Sequence, residues 1–183
     1  MAELIDDVLA RLDVRRRGEA VLSHPAQQFD LPYELPAAAE VISELTTALD
    51  QICAARDFPK GCGLAAPQLG VARAAAVVRI AGAADLALIN PEIVSTSGGD
   101  VRWEGCLSFF DVRGRTLRPV ELTLQWTAPD GETTSRTFNG ATARMIGHEC
   151  DHLDGILYAD RLALGTTLVG LNEYQEGGRA WQY

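Results

Sequence analysis

Apolar residues recur at helical spacing over two stretches of this chain and alternate with polar ones over several others. Leu4, Ile5, Val8, Leu9 and Leu12 predict a short helical arm within residues 4–14. Residues 19–36 hold only short apolar snatches between Pro25, Pro32 and Pro36 and read as an extended, looping approach. Val41, Leu45, Leu49 and Ile52 sit four, four and three apart, which predicts a helix over 37–56, opened by Pro36 and stopped before Pro59 and Gly61. Residues 61–70, GCGLAAPQLG, read as a loop. Short β-type runs follow at 74–80, 86–90, 93–97 and 100–103. Over 120–126, Val120, Leu122, Leu124 and Trp126 share one strand face, and Pro129-Asp130-Gly131 turns the chain into a partner strand at 133–138. A second helix is predicted over 141–153, with Gly155 at its stop. Helix, many short strands, helix is the order of an α+β fold, with mostly antiparallel short strands packed around one central helix. Beyond Leu162, Leu168, Leu171 and Tyr174 have weak helical spacing, but Gly165, Gly170, Gly177 and Gly178 argue against a stable helix. The chain therefore divides into an arm (1–18), a main domain (19–163) and a tail (164–183) that wraps the domain or touches a second subunit.

With 183 residues, one domain is expected, large enough to fold without staples. A formal charge of −9 argues against stable nucleic-acid binding and against adhesion to anionic membranes. No apolar run approaches the roughly 18 residues that a spanning helix needs. The N-terminus puts acids before the basic cluster Arg15-Arg16-Arg17, the reverse of a secretory signal, so a cytoplasmic protein is expected. Cys53, Cys62, Cys106 and Cys150 then read as thiols, and they form no CxxC pair.

The candidate chemistry begins at His148-Glu149-Cys150-Asp151-His152. Histidines four apart on a helix lie one turn apart on one face, where both rings reach one cation. Glu149 can take a proton from a water that the cation acidifies. This chain's own His and Glu frequencies make a chance HExxH a matter of roughly three in a thousand such chains, and two of its three histidines fall in the motif. The plain alternative is a polar turn on a solvent-facing helix. A catalytic site needs a third ligand, and a thiolate suits borderline-soft metals. Cys150 points off the ligand face. Cys106, in Glu104-Gly105-Cys106-Leu107-Ser108 at the end of a predicted strand, is placed to project into a site, although an isolated cysteine is more often a small buried hydrophobe. In residues 61–70 the glycines allow close backbone approach, and Gln68 offers an amide N–H to a developing oxyanion.

GCGLAAPQLG, EGCLS and HECDHLDG, in that order, resemble the three signature motifs of peptide deformylases, metallohydrolases that remove the N-formyl group from new proteins. The resemblance spans roughly residues 20–163. It implies that Cys106, His148 and His152 hold the metal, Fe²⁺ in cells with Zn²⁺ or Ni²⁺ also accepted. Glu149 is then the general acid/base, Gln68 and the Leu107 backbone N–H bind the formyl oxygen, and Gly63 and Gly105 lie against the substrate backbone. The implied partners are N-formyl peptides on nascent chains, with transient ribosome contact.

The chain departs from the pattern after EGCLS, where Phe109 and Phe110 stand in place of a small apolar residue and proline; these rings either reshape the substrate groove or fill core. Arg144, four residues before His148, shares the ligand face. It either binds an acidic group of the substrate, or snorkels to the surface or pairs with a nearby acid. The first option defines an alternative function, a deformylase-like amidase acting on a different, acidic N-formyl or N-acyl substrate. Further alternatives are a metal-free hydrolase with Cys106 as nucleophile and His148 as base, and a metal-binding scaffold without turnover. Asp154 either orients a ligating histidine, caps the helix end or pairs with Arg161.

Overall fold

The computed structural model describes residues 4–177. Its helices are α1 (Ile5–Arg11), α2 (Leu35–Ala55), α3 (Gly140–Leu153) and α4 (Leu171–Glu176). Its strands are β1 (Gly61–Ala65), β2 (Ala75–Ile80), β3 (Leu86–Ser97), β4 (Asp100–Cys106), β5 (Phe109–Arg118), β6 (Glu121–Thr127), β7 (Thr133–Asn139) and β8 (Val169–Gly170). One sheet runs β1-β2-β3-β6-β7 and a smaller one β4-β5-β8, with every pairing antiparallel. Helix α3 is buried from Ala143 to Leu153 and packs against β1, β2, β3, β6 and β7. This is the α+β architecture with a central helix that the pattern predicts.

Helix α2 buries Ala38, Ile42, Leu45, Ala48, Leu49 and Ile52 in a core shared with β1 and β2 and with Val8 and Leu9 of α1. The arm therefore belongs to the core. A second cluster joins Met145, Ile146 and Cys150 of α3 to Leu122, Leu124, Trp126 and Phe138 of the β6–β7 hairpin. Val120, expected on that inward face, is 44% exposed, because β6 begins one residue after it.

Three expectations are corrected, and one strand, β5, has no expectation behind it. Residues 61–70 are not a loop; they form β1 and a 3₁₀ turn, Ala66–Leu69, closed by Gly70 at φ +79°. The runs 86–90 and 93–97 are one bulged strand, β3. Strand β5 has no hydropathy signature because its pattern is inverted: Thr116 and Arg118 are buried while Leu117 is 54% exposed. The tail does form a short helix, since Gly170 and Gly177 bracket α4 instead of interrupting it. Tyr174 of α4 meets Trp103 edge to face, ring centroids 5.3 Å apart, and β8 pairs with β5. Gly178 lies outside the described residues.

Candidate metal centre

Strand β4 ends at Cys106 and the chain turns back at once into β5, so the thiol stands at the sheet edge facing α3. Cys106 Sγ is 3.2 Å from His152 Nε2. One ligand atom each from Cys106, His148 and His152 lie within 4.8 Å of one another, and all three residues are buried. Among the described residues no other His, Cys, Asp or Glu group comes together in this way. Metal–ligand bonds of about 2.0–2.3 Å in a tetrahedron put ligand atoms about 3.3–3.8 Å apart, so one thiolate and two imidazoles within 4.8 Å have to draw in by only about an ångström to hold a divalent cation.

The two imidazoles differ. Burial works against the charged form of His148, but hydrogen bonds to Cys106 and Glu104 outweigh it and lift the pKa to about 10. Burial and the neighbouring His148 hold His152 well below the usual imidazole range. A positive charge is therefore favoured on one ring, between a thiol and a carboxylate, and disfavoured on its neighbour. His148 Nδ1 faces Glu104 Oε2 at 3.4 Å, which leaves its Nε2 for the cluster.

A cavity of about 400 Å³ opens over the cluster, bounded by Phe58, Cys62, Gly63, Gln68, Gly105, Leu107, Phe110, Met145 and Glu149. Glu149 is 3% exposed and its Oε2 has no hydrogen-bond partner among the described residues. Burial raises its carboxyl pKa to about 7. Gly63 presses on Glu149 so closely that any Cβ there would overlap the carboxylate. The Gln68 side-chain oxygen accepts the Ala65 N–H at 2.9 Å. This fixes its amide to donate toward Ser108 Oγ (3.2 Å) and Cys106 Sγ (3.6 Å). The Arg15 N–H donates to the Gln68 carbonyl and the Arg17 N–H to that of Ser108, so the segment after α1 ties both motif loops together. Cavity, carboxylate and amide donor are thus held over the ligand set by α3, β1 and the β4–β5 turn.

Arg144 does not fit the substrate-binding expectation. It is 3% exposed, and it lines a separate cleft of about 270 Å³ with Asp100, Arg102 and Ala141 instead of the cavity over the cluster. Its guanidinium donates to Glu104 Oε1 (2.5 Å) and to the carbonyls of Thr116 (3.2 Å) and Asp100 (2.7 Å). A buried carboxylate one strand away competes for that charge better than a solvated ligand does. Asp154 is exposed; Arg161 makes its paired hydrogen bonds to Asp151 instead. Phe109 fills core, stacked on Tyr158 with centroids 4.5 Å apart. Phe110 belongs to the core and lines the cavity as well. Cys150 is buried against β6 and β7, and burial raises its pKa.

Sequence reasoning assigned no role to Glu104 and missed Arg118. Glu104 accepts from Arg118 Nε at 2.8 Å and NH2 at 3.0 Å. Arg118 NH1 reaches Asp151 Oδ2 at 2.5 Å. Glu104 stands two residues before Cys106, the strand spacing that puts two side chains on one face. Arg118 has no comparable signal.

The comparisons agree with this geometry. The Polypeptide deformylase family profile matches residues 12–166. Peptide deformylase of Halothermothrix orenii is 33% identical over 152 residues, covering 82% of this chain and 93% of the relative. Peptide deformylase 1 of Bacillus subtilis is 36% identical over 146 residues, covering 78% and 89%. Among solved structures, the class I type b peptide deformylase from Acinetobacter baumannii bound to Met-Ala-Ser superposes with a TM-score of 0.72 at 28% identity, covering 88% of this chain and all of that one. A peptide deformylase from Synechococcus elongatus in complex with actinonin gives 0.71 at 29% identity, covering 92% and 86%.

Proposed function

Since the chain belongs to the peptide deformylase family and removes N-formyl groups from peptides, we propose that Cys106, His148 and His152 hold its metal ion and that Glu149 moves the proton of the reaction. The observation that carries this assignment is the meeting of three buried ligand atoms beneath a cavity that also holds an unpartnered carboxylate oxygen. When bound, the ion supplies Lewis acidity, making a water nucleophilic at neutral pH and polarising the formyl oxygen.

Glu149 is poised for both halves of the proton transfer. Its unpartnered carboxylate oxygen, held at the cavity, accepts the proton of the attacking water and returns it to the departing amine nitrogen as the C–N bond breaks. Water and formamide thereby become formate and a free N-terminus. The Gln68 amide and the Leu107 N–H donate to the formyl oxygen as charge builds on it. Gly63 and Gly105 leave room for the substrate backbone, and Met145, Phe58, Cys62 and Phe110 give the first side chain an apolar seat suited to methionine. Arg144, engaged by Glu104, offers nothing to an acidic substrate, so the amidase alternative has no support here.

Family resemblance assigns Fe²⁺ as the ion in cells, and the donor set of two imidazoles and a thiolate accepts Zn²⁺ and Ni²⁺ as well. The same reading places the enzyme in the cytoplasm, meeting nascent chains with transient ribosome contact and without membrane or stable nucleic-acid binding. No helix among the described residues is long and apolar enough to cross a membrane. The division into an arm (1–18), a catalytic domain (19–163) and a tail (164–183) belongs to this proposal too. The test is formate release from formyl-Met-Ala-Ser by protein loaded anaerobically with Fe²⁺. Wild type should turn over and Glu149→Ala should keep its metal without turnover. Activity that persists in Glu149→Ala refutes the proton-transfer role, and activity that survives complete chelation refutes the metal assignment.

A further inference from the structure

Glu104 is a fully buried carboxylate at the meeting point of two guanidiniums and a proposed metal ligand. Its Oε2 faces His148 Nδ1 and also accepts from Arg118 NH2. Its Oε1 accepts from Arg118 Nε and Arg144 NH1. The two arginines are not equivalent. Arg118 is divided between acids, since its NH1 serves Asp151 and the Gly147 carbonyl. Among the described residues Arg144 ion-pairs with Glu104, and its guanidinium is braced by the carbonyls of Asp100 on β4 and Thr116 on β5.

We propose that Arg144 is a positioning residue for the metal centre, holding Glu104 in the rotamer that presents Oε2 to His148 Nδ1. Arg144 and His148 lie one turn apart on α3, so the helix that carries the ligand also carries its brace. The acceptor at Nδ1 fixes the imidazole tautomer and ring angle and leaves Nε2 for the ion. Without Arg144 the Arg118–Glu104 pair survives, but Oε1 loses its second charged donor and the carboxylate can turn from His148 toward Arg118. Lysine is an incomplete substitute, because one ammonium cannot span Glu104 and two carbonyls on different strands.

This inference rests on reading Cys106, His148 and His152 as metal ligands, and the experiment separates the two. The full-length chain is stripped of metal and titrated with Co²⁺, following the thiolate-to-cobalt charge-transfer band and the visible ligand-field bands. The wild type should give both. Arg144→Met should bind Co²⁺ about 10- to 100-fold more weakly, with altered ligand-field bands, and Arg144→Lys should recover part of the loss. Glu104→Gln should weaken binding as well, and Arg144→Met added to Glu104→Gln should weaken it little further, because the two residues act in series. Binding by Arg144→Met within twofold of wild type, or additive losses in the double variant, overturns the positioning role while leaving the metal centre intact. A wild-type protein with no thiolate band overturns the metal centre and this inference with it. If Arg144→Met fails to fold, Arg144→Lys decides: unchanged affinity and spectrum refute the role.

Discussion

Glu149→Gln should make the metal-free protein more stable, and more so as pH rises. The folded chain holds this carboxyl in a buried site where its pKa stands at about 7, against an ordinary value of 4.5, chiefly through loss of hydration. Between those values the folded state binds more protons than the unfolded state, so stability falls with rising pH. The contribution is fully present below about pH 4.5 and is lost once pH has passed about 7. From about pH 5 to about pH 8.5 this amounts to roughly 2–3 kcal/mol of lost stability in the wild type. Glutamine has the same shape and no charge, so Gly63 and the cavity walls are undisturbed while the titration disappears. For a chain of this size that difference is about 5–10 °C in melting temperature. The assay is urea or thermal unfolding of metal-stripped wild type and Glu149→Gln at both pH values, with Glu149→Gln expected to gain at the higher pH and little at the lower. Loading with metal should flatten the wild-type dependence, because a nearby dication favours the carboxylate. An equal wild-type-to-variant difference at both pH values refutes the reasoning.

Gly63→Ala should abolish most turnover in the formate-release assay, because its Cβ collides with the Glu149 carboxylate; wild-type kcat in that variant would count against the proposed close fit. Arg118→Leu should destabilise the fold by about 3–5 kcal/mol in urea unfolding, since it leaves two buried carboxylates each with one partner fewer; a loss under about 1 kcal/mol would show the network to be dispensable. Phe109→Ala, which empties one side of the Tyr158 stack, should cost about 3–5 kcal/mol by the same assay. Substantially less would mean that the core closes over the gap.

The long periodic elements were readable before any coordinates. Helix α3 announces itself through HExxH, helix α2 through its apolar stripe, and the β6–β7 hairpin through alternation and Pro129-Asp130-Gly131. The two histidines of the proposed ligand set were readable from the HExxH spacing, whereas Cys106 was singled out by its resemblance to a family motif, and the structure brings its thiol to them. Strand β5 was illegible because it buries Arg113, Thr116 and Arg118. A strand whose core face is polar reverses the pattern that marks strands, and only the buried acids it meets explain the reversal. Arg144's partner was left open for a related reason. Helical spacing gives the face a side chain leaves from, not the partner that claims its far end.

Those same buried charges show how the site is organised. Arg118, Arg144 and Arg161 meet Glu104 and Asp151 in a network spanning β4, β5, α3 and the turn beyond it. Replacing such a network by apolar residues is often neutral or stabilising, so stability alone gives little reason to keep it. Its geometry supplies a different reason. Among the described residues, the ion pairs of this network tie arginines to acids, save for Glu104 to His148, which leads out of the network and into the proposed ligand set. The histidine's orientation is thus fixed from the side away from the cavity. The cavity side stays uncrowded, with a partnerless Glu149 oxygen and an aligned Gln68 amide. A rigid charged lattice behind the ligands and unsatisfied groups in front is the arrangement expected where polar groups have been left available for a reaction.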